Sequence, residues 1–251
     1  GVNNQANGQD STAVGSTNTV SGDQSSAFGR ENTVNAGAGQ LAVGYKNKTT
    51  GDRAIAIGEG NDSQKEDTIT MGQYNTASVG GGIAIGQNNV ANSGGSAGNT
   101  MIAIGRQNEA TAQDTVAIGR EAKAKKDLSV AIGNRTEATA NAAIAIGTNG
   151  APSNGNTYKT EASGFASIAV GMQSEAKASV ATAIGGKSSA TGTSATAVGH
   201  GATASEKASV AVGKNATVNK QAATSNYEFS GSNGTPSPAG YNTETCYFRS
   251  T

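Results

Sequence analysis

Tryptophan is absent from this 251-residue chain, and histidine and cysteine each occur once. Proline appears only three times, aromatics make up 4% of residues and charged residues 14%. The lone thiol, Cys246, excludes an internal disulfide framework and a thiolate metal set. Eighteen basic residues balance 18 acidic ones, so there is no excess positive charge of the kind a nucleic-acid-binding face needs. No apolar run approaches the ~20 residues of a membrane-spanning helix. Hydrophobic residues are only 35% of the chain, which alone would fit disorder. Disordered chains usually carry a high net charge, however, and have no need to space their apolar residues regularly. Here the spacing is regular, and order is the expectation.

The register is set by glycine, at positions 1, 15, 29, 44, 58, 72, 86, 105, 119, 133, 147, 171, 185, 199 and 213. Eleven of the fourteen intervals are 14 residues; the others are 15, 19 and 24. From Gly15 onward the residue before each of these glycines is apolar, and the one before that is alanine in every copy except Thr70. Two residues before the apolar position sits another apolar residue in most copies, as in Ile102-Ala103-Ile104-Gly105. Alternation of this kind places Ile102 and Ile104 on one face of a strand and Ala103 on the other. β-Branched side chains suit that pleated surface. The glycine then ends the strand at a corner that needs a positive φ or a close backbone approach.

A second alternation of small residues follows, as in Glu109-Ala110-Thr111-Ala112. Two short strands per 14 residues make one coil of a narrow parallel β-solenoid, and fifteen coils at strand spacing give a rod about 70 Å long. The larger apolar residues are expected to form the core: Ile57, Ile85, Ile102, Ile104, Ile118, Ile132, Ile146, Val170, Ile184 and Val212. Alanine would then face outward, which is odd for a solvated strand. A small residue there implies close packing against a partner, and self-association of rods is the simple explanation.

Three residues after the glycine, the first eight copies carry asparagine, from Asn4 to Asn108. The next seven carry Ala122, Thr136, Gly150, Ser174, Ser188, Ala202 and Ala216. The asparagines either form a coil-to-coil hydrogen-bonded stack or tolerate a left-handed turn conformation. Both roles are structural.

The pattern Val130-Ala131-Ile132-Gly133, with small residues alternating after it and a recurrence every 14, resembles the head repeats of the trimeric autotransporter adhesins. The similarity covers roughly residues 1–220. It implies a left-handed parallel β-roll, three chains side by side around one axis, and display at the bacterial cell surface. It also implies anchoring in the outer membrane by a region outside this chain, and no nucleic-acid partner or cofactor. A single thiol fits a bacterial surface protein, and Gly1 already lies inside the repeat, so the chain reads as a piece of something larger. The coiled-coil stalk and neck usual in the family are not evident. The implied ligands are extracellular-matrix proteins, host-cell receptors or other bacteria. The alternative is a structural spacer in a surface fibre that carries a different binding domain.

Rival solenoids fail on spacing. Calcium-binding β-rolls need a G-G-x-G-x-D nonapeptide, and the glycine runs at Gly80–Gly82 and Gly94–Gly95 lack the aspartate. Hexapeptide acyltransferases need a six-residue period and a catalytic histidine. His200 instead follows its glycine as Arg106, Arg120 and Lys214 do in other coils, so it reads as an ordinary surface residue. No catalytic set and no metal set assembles.

A regular rod shows nearly the same surface at every coil, so ligand reading is expected where the repeat breaks. The 19-residue interval leaves an insertion near Asn92–Ala97, with Asn92, Ser93 and Ser96 as candidate ligand residues. The 24-residue interval leaves another near Thr148–Lys159, with Asn154, Asn156, Tyr158 and Lys159. The first departs after the second strand of its coil and the second just after its glycine. The chain divides into a head over 1–224 and an irregular end over 225–251 that holds five of the ten aromatics and reads equally as a cap, a linker or an appended end. Arg106, Arg120 and Arg135 form a stripe that Glu109, Glu121 and Glu137 lie near enough to neutralise.

Overall fold

The computed structural model describes residues 1–92, 100–149 and 159–219. The segment 225–251 and Cys246 lie outside them. The described residues contain strands and turns and no helix. Two parallel sheets run the length of the roll, one of 15 strands and one of 14, and successive coils contribute one strand to each in strict order.

Each coil begins on the 14-stranded sheet, where a strand such as Ile102–Arg106 crosses the rod. A tight turn (turn 1) leads to a two- or three-residue strand of the other sheet, such as Glu109–Ala110. A second turn (turn 2) returns the chain to the next coil. Register is column on column: Ile102 pairs with Val116, Ala103 with Ala117, Ile104 with Ile118 and Gly105 with Gly119. Up to Thr148 the strands of the 14-stranded sheet are five residues long, and from Ile168 onward they are three.

The inside of the roll is the reverse of the expectation. Ala27, Ala42, Ala56, Ala84, Ala103, Ala117 and their equivalents are fully buried, facing the second sheet's own small column, which includes Ala77, Ala91, Ala110 and Ala124. The residues expected in the core point outward. Ile57, Ile85, Ile102, Ile104, Ile118, Ile132 and Val170 are only half-buried, and Ile146, Ile184 and Val212 are exposed at 38%, 41% and 47%. Alternation fixes which residues share a face but not which face is inside. With two strands and two tight turns per coil, the sheets lie too close for a second isoleucine layer, and methyl groups fill the gap. The buried polar Thr70 occupies the same column.

The turn 1 end-wall of the interior carries a polar column, while the turn 2 wall mixes Ser25, Gln40, Thr68, Thr115 and Ser129 with Ala54, Met101 and Ala143. Asn18, Asn32, Asn47, Asn61, Asn75, Asn89 and Asn108 are all essentially fully buried at turn 1. Each donates its Nδ2 to the Oδ1 of the asparagine one coil earlier and to two backbone carbonyls; for Asn75 these are Asn61 Oδ1 at 2.9 Å, the Met71 carbonyl at 3.0 Å and the Gly86 carbonyl at 2.8 Å. Each Oδ1 in turn accepts the next asparagine's backbone N–H. The stack is therefore the correct reading. The left-handed residue is the one before, such as Tyr74 at φ 55° or Gln107 at φ 56°. The stack ends where Asn108 Oδ1 accepts the Ala122 N–H at 2.9 Å. After the second insertion the column is filled by Thr160, which pairs with Thr136; Gly150 lies outside the described residues.

The glycine column meets both of its expected demands at once. Gly105 has φ +124°, and a Cβ there would lie 2.0 Å from the Gly119 carbonyl oxygen. Backbone from adjacent coils passes through the space a side chain would need.

Candidate functional site

Four surfaces follow from this register, because an outward position repeats every coil. The first is the outer face of the 14-stranded sheet. Of its 28 outward positions, the third and first residues before each glycine, 24 are Val, Ile, Leu, Met or Phe. They form two parallel apolar columns from Val14 to Val212. Exposure reaches 52% at Val14, 40% at Phe28 and 38% at Met71.

The second surface, the outer face of the 15-stranded sheet, is polar. Its charges are paired, Lys125 with Glu109 of the preceding coil at 3.6 Å and Lys177 with Glu175 of its own coil at 2.8 Å. Lys159 lies here as well. Its ammonium bonds Glu137 and sits 3.4 Å from Glu161, so it bridges carboxylates of successive coils at the point where the second insertion rejoins the roll. Partial burial pulls the Lys159 pKa down, but its hydrogen bond to Glu137 and the two carboxylate charges outweigh this and hold it above the ordinary lysine value. The candidate ligand residue Lys159 is thus engaged within the chain, as a clamp on the returning strand.

Of the other candidate residues, Asn92 is exposed and its backbone N–H donates to the Ala110 carbonyl at 2.9 Å, continuing the ladder to the lip of the first insertion. Ser93, Ser96, Asn154, Asn156 and Tyr158 lie outside the described residues. The described register agrees with where the two insertions leave the roll: the first after strand Val90–Ala91, the second after strand Ile144–Thr148.

Turn 1 is the third surface. Arg106 and Arg120 stack on adjacent coils, as the sequence implies. Glu121 pairs with Arg120 at 3.1 Å and with Arg135 at 2.7 Å. The Arg135 hydrogen bond, reinforced by both arginine charges against a desolvation penalty, holds the Glu121 carboxyl below the ordinary glutamate value. Nearer the start of the roll, Arg30 and Lys46 lie 4.8 and 4.9 Å from the centroid of the Tyr45 ring, and Arg30 donates to Tyr45 OH at 3.3 Å. Hydrogen bonds from Lys46 and Arg30 lower the Tyr45 pKa. Tyr74 donates to Glu59 at 3.0 Å. A Cβ on Gly60 would collide with the Tyr74 ring, so the glycine makes the seat on which the ring rests. Sequence reasoning missed this cluster; the signal was two tyrosines in a chain of few aromatics, both within two residues of a repeat glycine. His200 is an exposed member of the same turn, resting over Gly186.

Turn 2 is the fourth. Asp23, Asp52, Asp114 and Asp127 each accept a backbone N–H of the preceding coil at 2.8–3.1 Å, from Gln9, Ala38, Thr100 and Gln113. Arg53 and Asp67 pair across adjacent coils, Nη2 to Oδ2 at 2.8 Å. Among the described residues no group of three or more His, Cys, Asp or Glu is placed to hold a metal.

A family model described as the YadA head domain repeat matches residues 6–32, 41–61, 102–122, 124–149 and 190–216. The stretches it leaves out contain the extra residues of the three irregular intervals, the one before Gly44 and both insertions. No curated protein matches the chain significantly.

Proposed function

This chain is built of YadA head domain repeats and is a YadA-like head of a trimeric autotransporter adhesin, and from that premise we propose that it is an attachment rod made of three copies, displayed beyond the outer membrane of a bacterium. The family is a structural adhesin type and not an enzyme family. The rod holds its ligand-reading elements on the outside of a trimer, and the three apolar faces meet at the axis.

The observation that carries this reading is the pair of outward apolar columns. A soluble monomer rarely leaves a contiguous apolar patch of more than a few hundred Å² in water, and here one runs through 14 strands. Completing the burial of a half-buried isoleucine contributes about 1 kcal/mol. With 24 outward Val, Ile, Leu, Met or Phe side chains per chain, the gain exceeds the ~4–15 kcal/mol cost of immobilising a partner. The alanine column has no part in this; it is used inside the roll. Self-association thus keeps its place in the argument while the face responsible changes sides.

Attachment itself belongs to the breaks in the repeat. Threefold display gives each insertion three chances to engage one surface, so weak single contacts add as avidity. Matrix proteins, host-cell receptors and other bacteria are the targets the family suggests. Because Lys159 serves the roll, the ligand-facing part of the second insertion narrows to 150–158. The test is attachment of the purified chain to immobilised matrix proteins and to cells, with 93–97 and 150–158 removed separately. Loss of attachment on removing either supports the adhesin reading. Full attachment by both deletions moves binding to the sides of the rod, and no attachment by the intact chain favours the spacer. Sedimentation at micromolar concentration is expected to give the mass of three chains, and a stable monomer overturns the trimer.

A further inference from the structure

Turn 1 changes its chemistry between Arg30 and Asn88. The described residues hold two tyrosines, Tyr45 and Tyr74, and both stand on this turn, two coils and so about 10 Å apart along the rod. Between and beyond them runs a ladder of planar polar groups. Gln87 donates its Nε2 to Gln73 Oε1 at 2.8 Å, and Gln73 donates its own Nε2 to Glu59 Oε2 at 3.0 Å. The other carboxylate oxygen of Glu59 accepts the Tyr74 hydroxyl at 3.0 Å. Tyr74 is thus tethered at its tip, and the Cδ1–Cε1 edge of its ring fills the space a side chain on Gly60 would need, yet the residue is 52% exposed. Glu59 raises the Tyr74 pKa, through that hydrogen bond first and its charge second, which keeps the hydroxyl a donor.

Three features narrow what this surface can take. The cations beside it are already engaged: Arg30 and Lys46 share the Glu31 carboxylate, at 2.9 and 3.6 Å, and both lie against the Tyr45 ring. Counting Glu59, the four charges cancel, so an anionic chain meets no excess of positive charge. The backbone is engaged as well. The N–H groups of Gly60, Tyr74 and Asn88 each donate at 2.9 Å to a carbonyl of the preceding coil, which leaves no strand edge for a peptide to extend. What stays open is an exposed aromatic ring held in one orientation, beside half-buried amide and carboxylate groups with hydrogen-bonding capacity left over.

We infer that Tyr74, with Glu59, Gln73 and Gln87, forms a binding site for a neutral oligosaccharide on the side of the rod. An uncharged sugar ring offers an apolar C–H face that lies against an aromatic ring. Its rim of hydroxyls pairs with planar amides and carboxylates, the few placed polar groups that fix a ligand's orientation. The ladder presents such groups one coil apart and already ordered, so little rotamer freedom is left to lose on binding. Tyr45 stands further along the same turn, where a longer chain of sugars can continue. No other described coil repeats the combination. Where the ladder would go on, turn 1 carries Arg106, Arg120 and Asn134, and in the place of Tyr74 it carries Gln107, Glu121 and Arg135. The site is complete within one chain and depends neither on the insertions nor on the number of copies.

The test is saturation-transfer difference NMR on the full chain, with cellohexaose, chitohexaose and maltohexaose as neutral probes and a heparin hexasaccharide as the charged one. At least one neutral probe is expected to receive saturation, and Tyr74→Ala to weaken its binding by at least about tenfold. Gln73→Ala, which removes the middle of the ladder, is expected to act in the same direction, and it decides the matter if Tyr74→Ala does not fold by circular dichroism. Gln107→Ala, on turn 1 outside the ladder, is expected to leave binding unchanged. Silence from all three neutral probes, or full binding by folded Tyr74→Ala, overturns the site. A preference for the heparin hexasaccharide that is lost in Arg30→Ala would assign the surface to an anion and overturns it too. Removal of 93–97 or of 150–158 is expected to leave the signal intact, and a signal lost with either deletion places binding in the insertions and overturns the proposal.

Discussion

Asn75 reaches Asn61 at 2.9 Å through a buried amide-to-amide hydrogen bond, one rung of a stack that runs from Asn4 to Asn108. Removing one rung leaves more than a hole. In Asn75→Ala the Met71 and Gly86 carbonyls each lose a side-chain donor, Asn61 Oδ1 loses one of its two, and the Asn89 N–H loses its acceptor. A buried N–H orphaned in this way costs about 1–3 kcal/mol when water cannot reach it, and the lost donors add to that. Asn75→Ala is expected to lower the thermal midpoint by several degrees, followed by circular dichroism, and Asn75→Leu by more. The equivalent change at Ser188, whose Oγ donates only to the Gly185 carbonyl at 2.9 Å, is expected to be much milder.

Ala117 and Ile118 are sequence neighbours on opposite sides of the wall, and two substitutions separate their roles. Ala117→Ile forces a large side chain between two closely spaced sheets and is expected to destabilise the coil by about 3 kcal/mol or more, above the usual overpacking range. Ile118→Glu leaves the roll's β-signal and midpoint in the isolated chain nearly unchanged but places three carboxylates near the axis of an assembly. Sedimentation is expected to show its mass falling toward that of one chain. The opposite pattern, with Ala117→Ile harmless and Ile118→Glu unfolding the chain, would return isoleucine to the core.

Gly105→Ala tests the backbone contact. Its Cβ would meet the Gly119 carbonyl at 2.0 Å, and neither strand can move without breaking the ladder to the next coil. A loss on the order of 3 kcal/mol or more is expected, since strain at the dihedral alone accounts for about 1–3 kcal/mol. Gly186→Ala, where the nearest atom is the flexible His200 ring at 3.3 Å, is expected to be nearly silent. Midpoints from chemical denaturation of both variants provide the comparison.

Glu121 gives a pH signature. Its folded pKa is depressed by Arg135 and Arg120, so the stability it adds is present above the unfolded glutamate value and is lost as pH falls through the folded value. Glu121→Gln is therefore expected to cost a few tenths of a kcal/mol near neutrality, in keeping with partly exposed pairs. The difference from the parent should vanish in acid. A midpoint difference that persists unchanged below that range would mean that the carboxyl acts by packing and not by charge.

The period of the coil, the parallel pairing and the places where the repeat breaks were all legible in the residues, because a column of glycines at fixed spacing leaves little freedom in register. The inside was not. Ile102-Ala103-Ile104 says that Ala103 faces away from its neighbours, and size alone then suggested isoleucine within. The clue to the reverse was already visible, since an alanine column makes a poor solvated surface and a good filler between two tight turns. The fate of Lys159 was hidden for a different reason: its partners Glu137 and Glu161 sit on separate sides of a ten-residue excess. Only the pairing of Thr136 with Thr160 shows that they are neighbours.

Column-on-column register has one consequence beyond stability. Every coil presents nearly identical docking faces above and below, so a deletion or duplication of one 14-residue unit in the regular part rejoins strand to strand without a seam. The length of the roll therefore comes in steps of about 4.8 Å, the spacing of adjacent strands, so that the number of repeats alone acts as its ruler.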